Sequence, residues 1–322
     1  PGPEGEENMT SLNPTKNTFN FQSSFALNNE YFNKFNLQGT VSEYNHSERT
    51  GSGNNHNINF FSDLYEIKTS LNHKSIIDSN SDGLIGFHFQ NYDQGALGQE
   101  ESHLVHTRTS SFALFALESF NFNLFDLDVG GRLESVNLKN TSLEKGFFPT
   151  AFSSTIKRKI FNNSNAFAGF DFTERAPNAV ELFANGPHHA QEQFEVGDST
   201  MSVETSYNFS LGYSYNVGFD TLKIETYYNY IDDFIAADRD GTTTVVEGED
   251  MNNVNFSQYN ALFTGLEVSG QYALARIDDF DIISNFMMDF LKGYRTSNDK
   301  ALSRIPQTKM NFGIQVINED LS

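Results

Sequence analysis

The chain contains eight histidines and no cysteine, so a metal site here would be built from imidazole and carboxylate rather than thiolate. Two of the histidines are adjacent, His188 and His189, and follow a Gly-Pro step within FTERAPNAVELFANGPHHAQEQFEVGDST, from Phe172 to Thr200. A second group lies in DQGALGQEESHLVH, which holds Glu100, Glu101 and His103, with His106 close behind. Two imidazoles with one or two carboxylates are a donor set that a divalent ion such as zinc accepts, commonly in four-coordinate geometry. Taken singly, each group has a plainer reading, as an exposed histidine pair in a polar loop and as solvated glutamates. They make a site only if the fold carries both loops to one place. His46, His56, His73 and His88 are scattered along the chain and suggest no site.

The elements that must do the carrying are strands. From Lys16 to Leu27, Phe19, Phe21, Phe25 and Leu27 share one face, with Asn20, Gln22 and Ser24 on the other. The same period of two returns in Phe35, Leu37 and Val41; in Ile85, Phe87 and Phe89; in Tyr207, Phe209, Leu211, Tyr213 and Tyr215; and in Met310, Phe312, Ile314 and Val316. The segment from Ile58 to Lys74 alternates less cleanly. A soluble β-sandwich would show this period too, so connection length has to decide.

Short connections are expected near Asn28 to Tyr31, Asp78 to Gly83, Ser119 to Asn121, Phe161 to Asn163, Asn216 to Gly218 and Arg276 to Asp279. Long ones are expected between them, at His46 to Asn57, Asp93 to His103, Lys139 to Phe148, Thr173 to Thr200, Asp233 to Asn255 and Arg295 to Arg304. Strict alternation of short and long is what an up-and-down barrel in an outer membrane produces, with tight turns on one rim and extended loops on the other. The expected fold is therefore all-β, an antiparallel up-and-down transmembrane β-barrel. The count is about thirteen strands, and because single-chain bacterial barrels close on an even number the barrel is expected to be incomplete.

Composition agrees. The chain has 32 Phe and 13 Tyr among its 322 residues, yet a mean hydropathy of −0.47, so apolar residues are dispersed as barrel strands require. No run approaches the roughly 18 apolar residues of a membrane helix. A net charge of −21 excludes nucleic acid as a partner, since phosphate binding needs clustered Lys and Arg. The same acidity would draw cations toward the loops. Enzyme signatures such as GxSxG, HExxH, CxxC, a P-loop or GxGxxG are absent, and no catalytic residue is assigned.

The long central segment resembles TonB-dependent outer-membrane receptors. The resemblance rests on Arg175-Ala176-Pro177, Glu181-Leu182-Phe183, Asn185-Gly186-Pro187-His188, Phe194-Glu195 and Gly197-Asp198, followed by Glu204, Ser206, Asn208 and Leu211-Gly212-Tyr213. Within that superfamily the Gly-Pro-His step is similar to the branch associated with zinc uptake. The resemblance implies that residues 1–322 are the middle and later part of a larger barrel. It also implies that a plug domain, a segment contacting TonB and further strands lie outside them. It implies residence in the outer membrane, with lipid around the wall and the TonB complex as partner through the missing N-terminal region. The ligand would be a metal ion or metal chelate, carried as cargo with no resident cofactor; iron chelates, haem and cobalamin enter through similar barrels.

Convergence of the long connections on one rim would make His103 and His189 ligand-binding residues, and the branch also implies that His188, Glu101 and Glu100 are the metal ligands. Its "GEE" step is similar to Gly98-Gln99-Glu100-Glu101, where Gln99 replaces the first glutamate or the pair is shifted by one residue. The acidic opening Pro1-Gly2-Pro3-Glu4-Gly5-Glu6-Glu7 carries none of the histidines that the branch often places in an external insertion. Pro1 follows no basic-then-apolar leader, which for an exported protein suggests processing or truncation. A passive porin would share the wall and the loop alternation without the plug.

Overall fold

A computed structural model describes residues 11–50, 56–74, 81–98, 102–246 and 248–318. In chain order the first strands are β1 (Ser11–Ala26), β2 (Phe32–Thr50), β3 (His56–Lys74), β4 (Ser81–Gly98), β5 (Thr107–Asn121), β6 (Asp126–Lys139), the short β7 (Glu144–Phe147) and β8 (Thr150–Phe161). After β9 (Ser164–Arg175) come the helix α1 (Ala179–Phe183) and two four-residue strands, β10 (Asn185–His188) and β11 (Gln193–Val196). The wall resumes with β12 (Glu204–Val217), β13 (Asp220–Val246), β14 (Glu249–Ile277), β15 (Phe280–Arg295) and β16 (Lys309–Asn318).

The thirteen long strands form one antiparallel sheet in chain order, β1-β2-β3-β4-β5-β6-β8-β9-β12-β13-β14-β15-β16. Among the described residues β1 pairs only with β2 and β16 only with β15, so the sheet is not closed. This is the incomplete up-and-down barrel that the connection lengths require.

Register carries the apolar rows across the sheet. Phe19 lies opposite Val41 and Phe25 opposite Phe35, while Phe209 lies between Phe170 and Tyr228. These rows are not covered by a second layer of protein: Phe19 is 67% exposed and Phe312 74%. Aromatic and aliphatic side chains left bare over a whole face require an apolar surrounding, and a bilayer supplies it. The opposite face carries polar groups that pair among themselves, such as His88 with Glu66 at 2.8 Å, Asn208 with Asp171 at 3.2 Å and Ser206 with Asn229 at 2.7 Å. No helix among the described residues is long and apolar enough to cross a membrane.

Strand runs into several expected loops: β2 carries His46 to Thr50 and β4 carries Asp93 to Gly98, and the largest departure lies further along. Asp233 to Asn255 continues β13 and β14 into a hairpin that turns at Gly248, with register shifts between Ile231 and Phe234 and between Arg239 and Thr243. Each bulge shifts the alternation, which is why the segment reads as irregular in sequence. A bilayer needs only about 9–11 residues of tilted strand, so strands of 27 and 29 residues carry this hairpin well past the membrane. The expected loop His46 to Asn57 and turn Asp78 to Gly83 fall partly outside the described residues. The acidic opening Pro1 to Glu7 falls wholly outside them.

Candidate metal site at the barrel mouth

The connection from β9 to β12 is held by a polar fork and a small apolar core. Pro177 ends the strand, and Asn178 caps α1: its side chain accepts from the Glu181 amide at 2.9 Å while Glu181 accepts from the Asn178 amide at 2.7 Å. Arg175 bridges Glu181 at 2.9 Å and Glu204 at 3.2 Å, and Glu204 also accepts from the Ile235 amide at 2.8 Å. Burial opposes the Arg175 charge, but the two carboxylates outweigh it and raise the guanidinium pKa. Beneath the fork, Ala179, Leu182 and Phe183 pack with Leu138, Met201 and Ile235, and Val105 of the β4–β5 connection packs against that group. One apolar cluster thus anchors both loops that the sequence singles out.

Above this base, β10 and β11 form a tight hairpin in which Gly186 faces Glu195 and His188 faces Gln193. Glu192 turns the chain with φ 52°, and β11 runs parallel to β14 at Asn252–Asn255, fastening the hairpin to the β13–β14 projection. Two glycines permit the packing. A Cβ on Gly197 would lie 2.8 Å from the Leu182 carbonyl carbon, and one on Gly186 would lie 2.6 Å from the Ser102 carbonyl oxygen. Because Gly186 lets the two loops touch, the His103 amide donates to the Pro187 carbonyl at 3.1 Å.

That contact brings His103 onto His188. Their rings stack with centroids 4.2 Å apart and 14° between planes, and His188 Nδ1 lies 2.8 Å from Glu195 Oε1. Among the described residues, His103, His188 and Glu195 offer ligand atoms that all lie within 4.8 Å of one another. Where His188 donates Nδ1–H to that carboxylate, a metal would take the proton's place, with Nδ1 and Oε1, 2.8 Å apart, as adjacent ligands. The His103 Nδ1 atom is buried without a hydrogen-bond partner.

Electrostatics favour the ligand forms. Burial lowers the His103 pKa, and the field of His188 lowers it further against the opposing fields of Glu195 and Glu48. Burial alone would raise the Glu195 carboxyl, but the hydrogen bond from His188 and the fields of His103, His188 and Arg304 hold it below the usual range. Neutral imidazole and ionised carboxylate are the forms that bind a cation.

His103 and His188 of the trio border a hollow of about 210 Å³ lined also by His46, Glu48, Ile58, Phe60, Leu104, Pro187 and His189. Rings line one side of it: His46 stacks on Phe60 at 4.7 Å, Phe60 approaches His103 at 6.4 Å, and His103 meets His188. Besides His103, buried nitrogens of His46 (Nδ1) and His189 (Nε2) lack a hydrogen-bond partner here.

Of the residues singled out in the sequence, His103 and His188 meet, and His189 lines the same hollow. His106 does not join them; it pairs with Asp93 at 2.7 Å. Glu100 and Glu101 lie outside the described residues. Sequence reasoning missed Glu195, although it stands within the FEVGD run. Recognising NGPH and QFEV as two arms of one hairpin would have placed it beside the histidine. It also passed over His46, which the β2 strand carries to the mouth.

A family model described as "TonB dependent receptor-like, beta-barrel" matches residues 2–320. Among solved structures the chain is similar to the copper transporter OprC (TM-score 0.72, 15% identity, 93% of this chain and 49% of that one). It is also similar to a double mutant of the Serratia marcescens hemophore receptor HasR in complex with its hemophore HasA and heme (TM-score 0.70, 13% identity, 95% and 56%). A mutant of the ferric enterobactin receptor PfeA from Pseudomonas aeruginosa, in complex with enterobactin, matches with TM-score 0.71, 13% identity and coverage of 94% and 47%. The chain spans about half the length of these solved chains.

Proposed function

This chain belongs to the TonB-dependent receptor-like β-barrel family of the outer membrane, a family of uptake receptors rather than enzymes, and from that premise we propose that its loops capture a divalent metal ion, zinc, for TonB-driven import. The observation that carries the reading is the convergence of His103, His188 and Glu195 within 4.8 Å. Two imidazoles and a carboxylate suit a borderline ion such as zinc better than calcium or magnesium, which prefer all-oxygen shells. Among the described residues the hollow beside the trio measures about 210 Å³, room enough for a cation, which needs only its donor atoms.

In this reading residues 1–322 are part of a larger barrel, and the plug and the TonB-contacting segment belong to the rest of the receptor. The edges left open at β1 and β16 among the described residues and the half-length match to solved receptors support that. The loops would hold the ion while energy delivered through TonB rearranges the plug, and no bond of the cargo is broken. Passive diffusion would not need a preorganised trio of ligands at the mouth.

The test is uptake of radiolabelled zinc by cells that carry the full-length receptor as their principal zinc route, with and without TonB. Accumulation that requires both receptor and TonB is expected. Zinc accumulation indifferent to the receptor, together with receptor-dependent accumulation of haem or a ferric chelate, would overturn the zinc assignment. Accumulation that requires the receptor but not TonB would favour a passive pore.

A further inference from the structure

His103, His188 and Glu195 supply three ligands, one fewer than the four that zinc commonly takes. A dication held by two neutral imidazoles and one carboxylate also keeps one positive charge in a half-buried site, and a second carboxylate would neutralise it. Among the described residues lining the hollow, Glu48 is the carboxylate available for that role. It stands on the wall strand β2, opposite Ile58 of β3, and Ile58 is 4% exposed, so the base of the Glu48 side chain is set against a packed position. Its field already reaches His103.

Among the described residues, the Glu48 carboxylate is weakly engaged. Its contact with His46 Nε2 is 3.4 Å, near the limit of a hydrogen bond, compared with 2.8 Å between His188 and Glu195. His46 is itself fixed, since its ring lies flat on Phe60 at 4.7 Å with 8° between planes. Among the described residues, turning into the hollow would cost the carboxylate only that long contact, while its neighbour stays in place.

Resting on the zinc-binding reading of the trio, we propose that Glu48 is the fourth protein ligand, turning from His46 onto the ion bound by His103, His188 and Glu195. The completed site is a closed, two-histidine, two-carboxylate shell for a bare dication, and it joins the β2–β3 side of the mouth to the central loop. A chelated metal, whose own donors fill the coordination sphere, would gain nothing from Glu48.

The experiment is competitive zinc titration of purified full-length receptor in detergent, comparing wild type with Glu48→Gln, Glu48→Asp and His188→Ala. Folding is checked by the heat-dependent gel mobility typical of barrels. The expected result is a loss of about 10–100-fold for Glu48→Gln, partial recovery in Glu48→Asp because the carboxylate is retained, and a larger loss for His188→Ala. Loss in His188→Ala with wild-type affinity in Glu48→Gln would overturn the Glu48 assignment and leave the trio standing. Equal losses in Glu48→Gln and Glu48→Asp would also overturn it, since the charge would not be what matters. Unchanged affinity in His188→Ala would overturn the trio and the fourth ligand with it.

Discussion

His188 Nδ1 lies 2.8 Å from Glu195 Oε1 across a hairpin of two four-residue strands. The carboxylate fixes the ring, and an ion that takes the place of the proton they share would have Nδ1 and Oε1 as adjacent ligands. Removing the ring removes a ligand, whereas Glu195→Gln keeps an acceptor near Nδ1 and removes only the charge. We predict that calorimetric zinc affinity of the full-length receptor falls more than about 100-fold in His188→Ala and about 10–100-fold in Glu195→Gln. Wild-type affinity in both variants would contradict this arrangement.

Gly186 tests whether loop contact assembles the site. A methyl group there would lie 2.6 Å from the Ser102 carbonyl oxygen, which forces the β4–β5 connection and His103 away from His188. Gly186→Ala is expected to lower zinc affinity by about tenfold or more, the loss of one well-placed ligand, while heat-dependent gel mobility stays wild-type. A variant that binds zinc as wild type does would mean that His103 is not held by this contact.

Arg175 tests the foundation of the central loop. With Arg175→Met the buried Glu181 and the partly buried Glu204 lose their shared cation, and breaking such a pair by removing one partner costs more than the pair contributes when intact. Because the fork ties α1 to the wall, local opening of residues 176–203 should become more frequent. Limited proteolysis there is expected to accelerate about tenfold, as an opening free energy lower by about 1.4 kcal/mol would give. Unchanged cleavage would show that the apolar cluster holds the loop unaided.

Leu211 and Asn208 lie near the middle of β12 on opposite faces. A lysine at the membrane midplane of a barrel costs about 2–4 kcal/mol on the lipid face, and substitutions on the lumen side do not meet that penalty. In the full-length receptor folded into lipid vesicles, Leu211→Lys should lower the denaturant midpoint clearly, and Asn208→Lys should lower it by much less. The reverse order would place lipid on the wrong face.

Much of the wall was legible because it is periodic. Phe19, Phe21 and Phe25 declare an apolar face by spacing, the alternation of short and long connections marks it as the lipid face, and the turn near Gly218 follows from its position between two alternating runs. The β13–β14 projection was not legible, since bulges at Ile231–Phe234 and Arg239–Thr243 break the parity on which such reading depends. For the site, residue type pointed to His103 and His188. Glu195 and Glu48 came into view only through pairing register, which sets residues far apart in sequence side by side. His106 has the same chemistry as His103, three residues earlier, yet Asp93 takes it.

The most direct measurement is an anomalous difference map at the zinc edge from crystals of the full-length receptor loaded with zinc. A single strong peak is expected at the mouth, about 2.0–2.1 Å from an imidazole nitrogen of each of His103 and His188, with Glu195 in contact. A peak at saturating zinc that avoids both imidazoles, or no peak at the mouth, would contradict it.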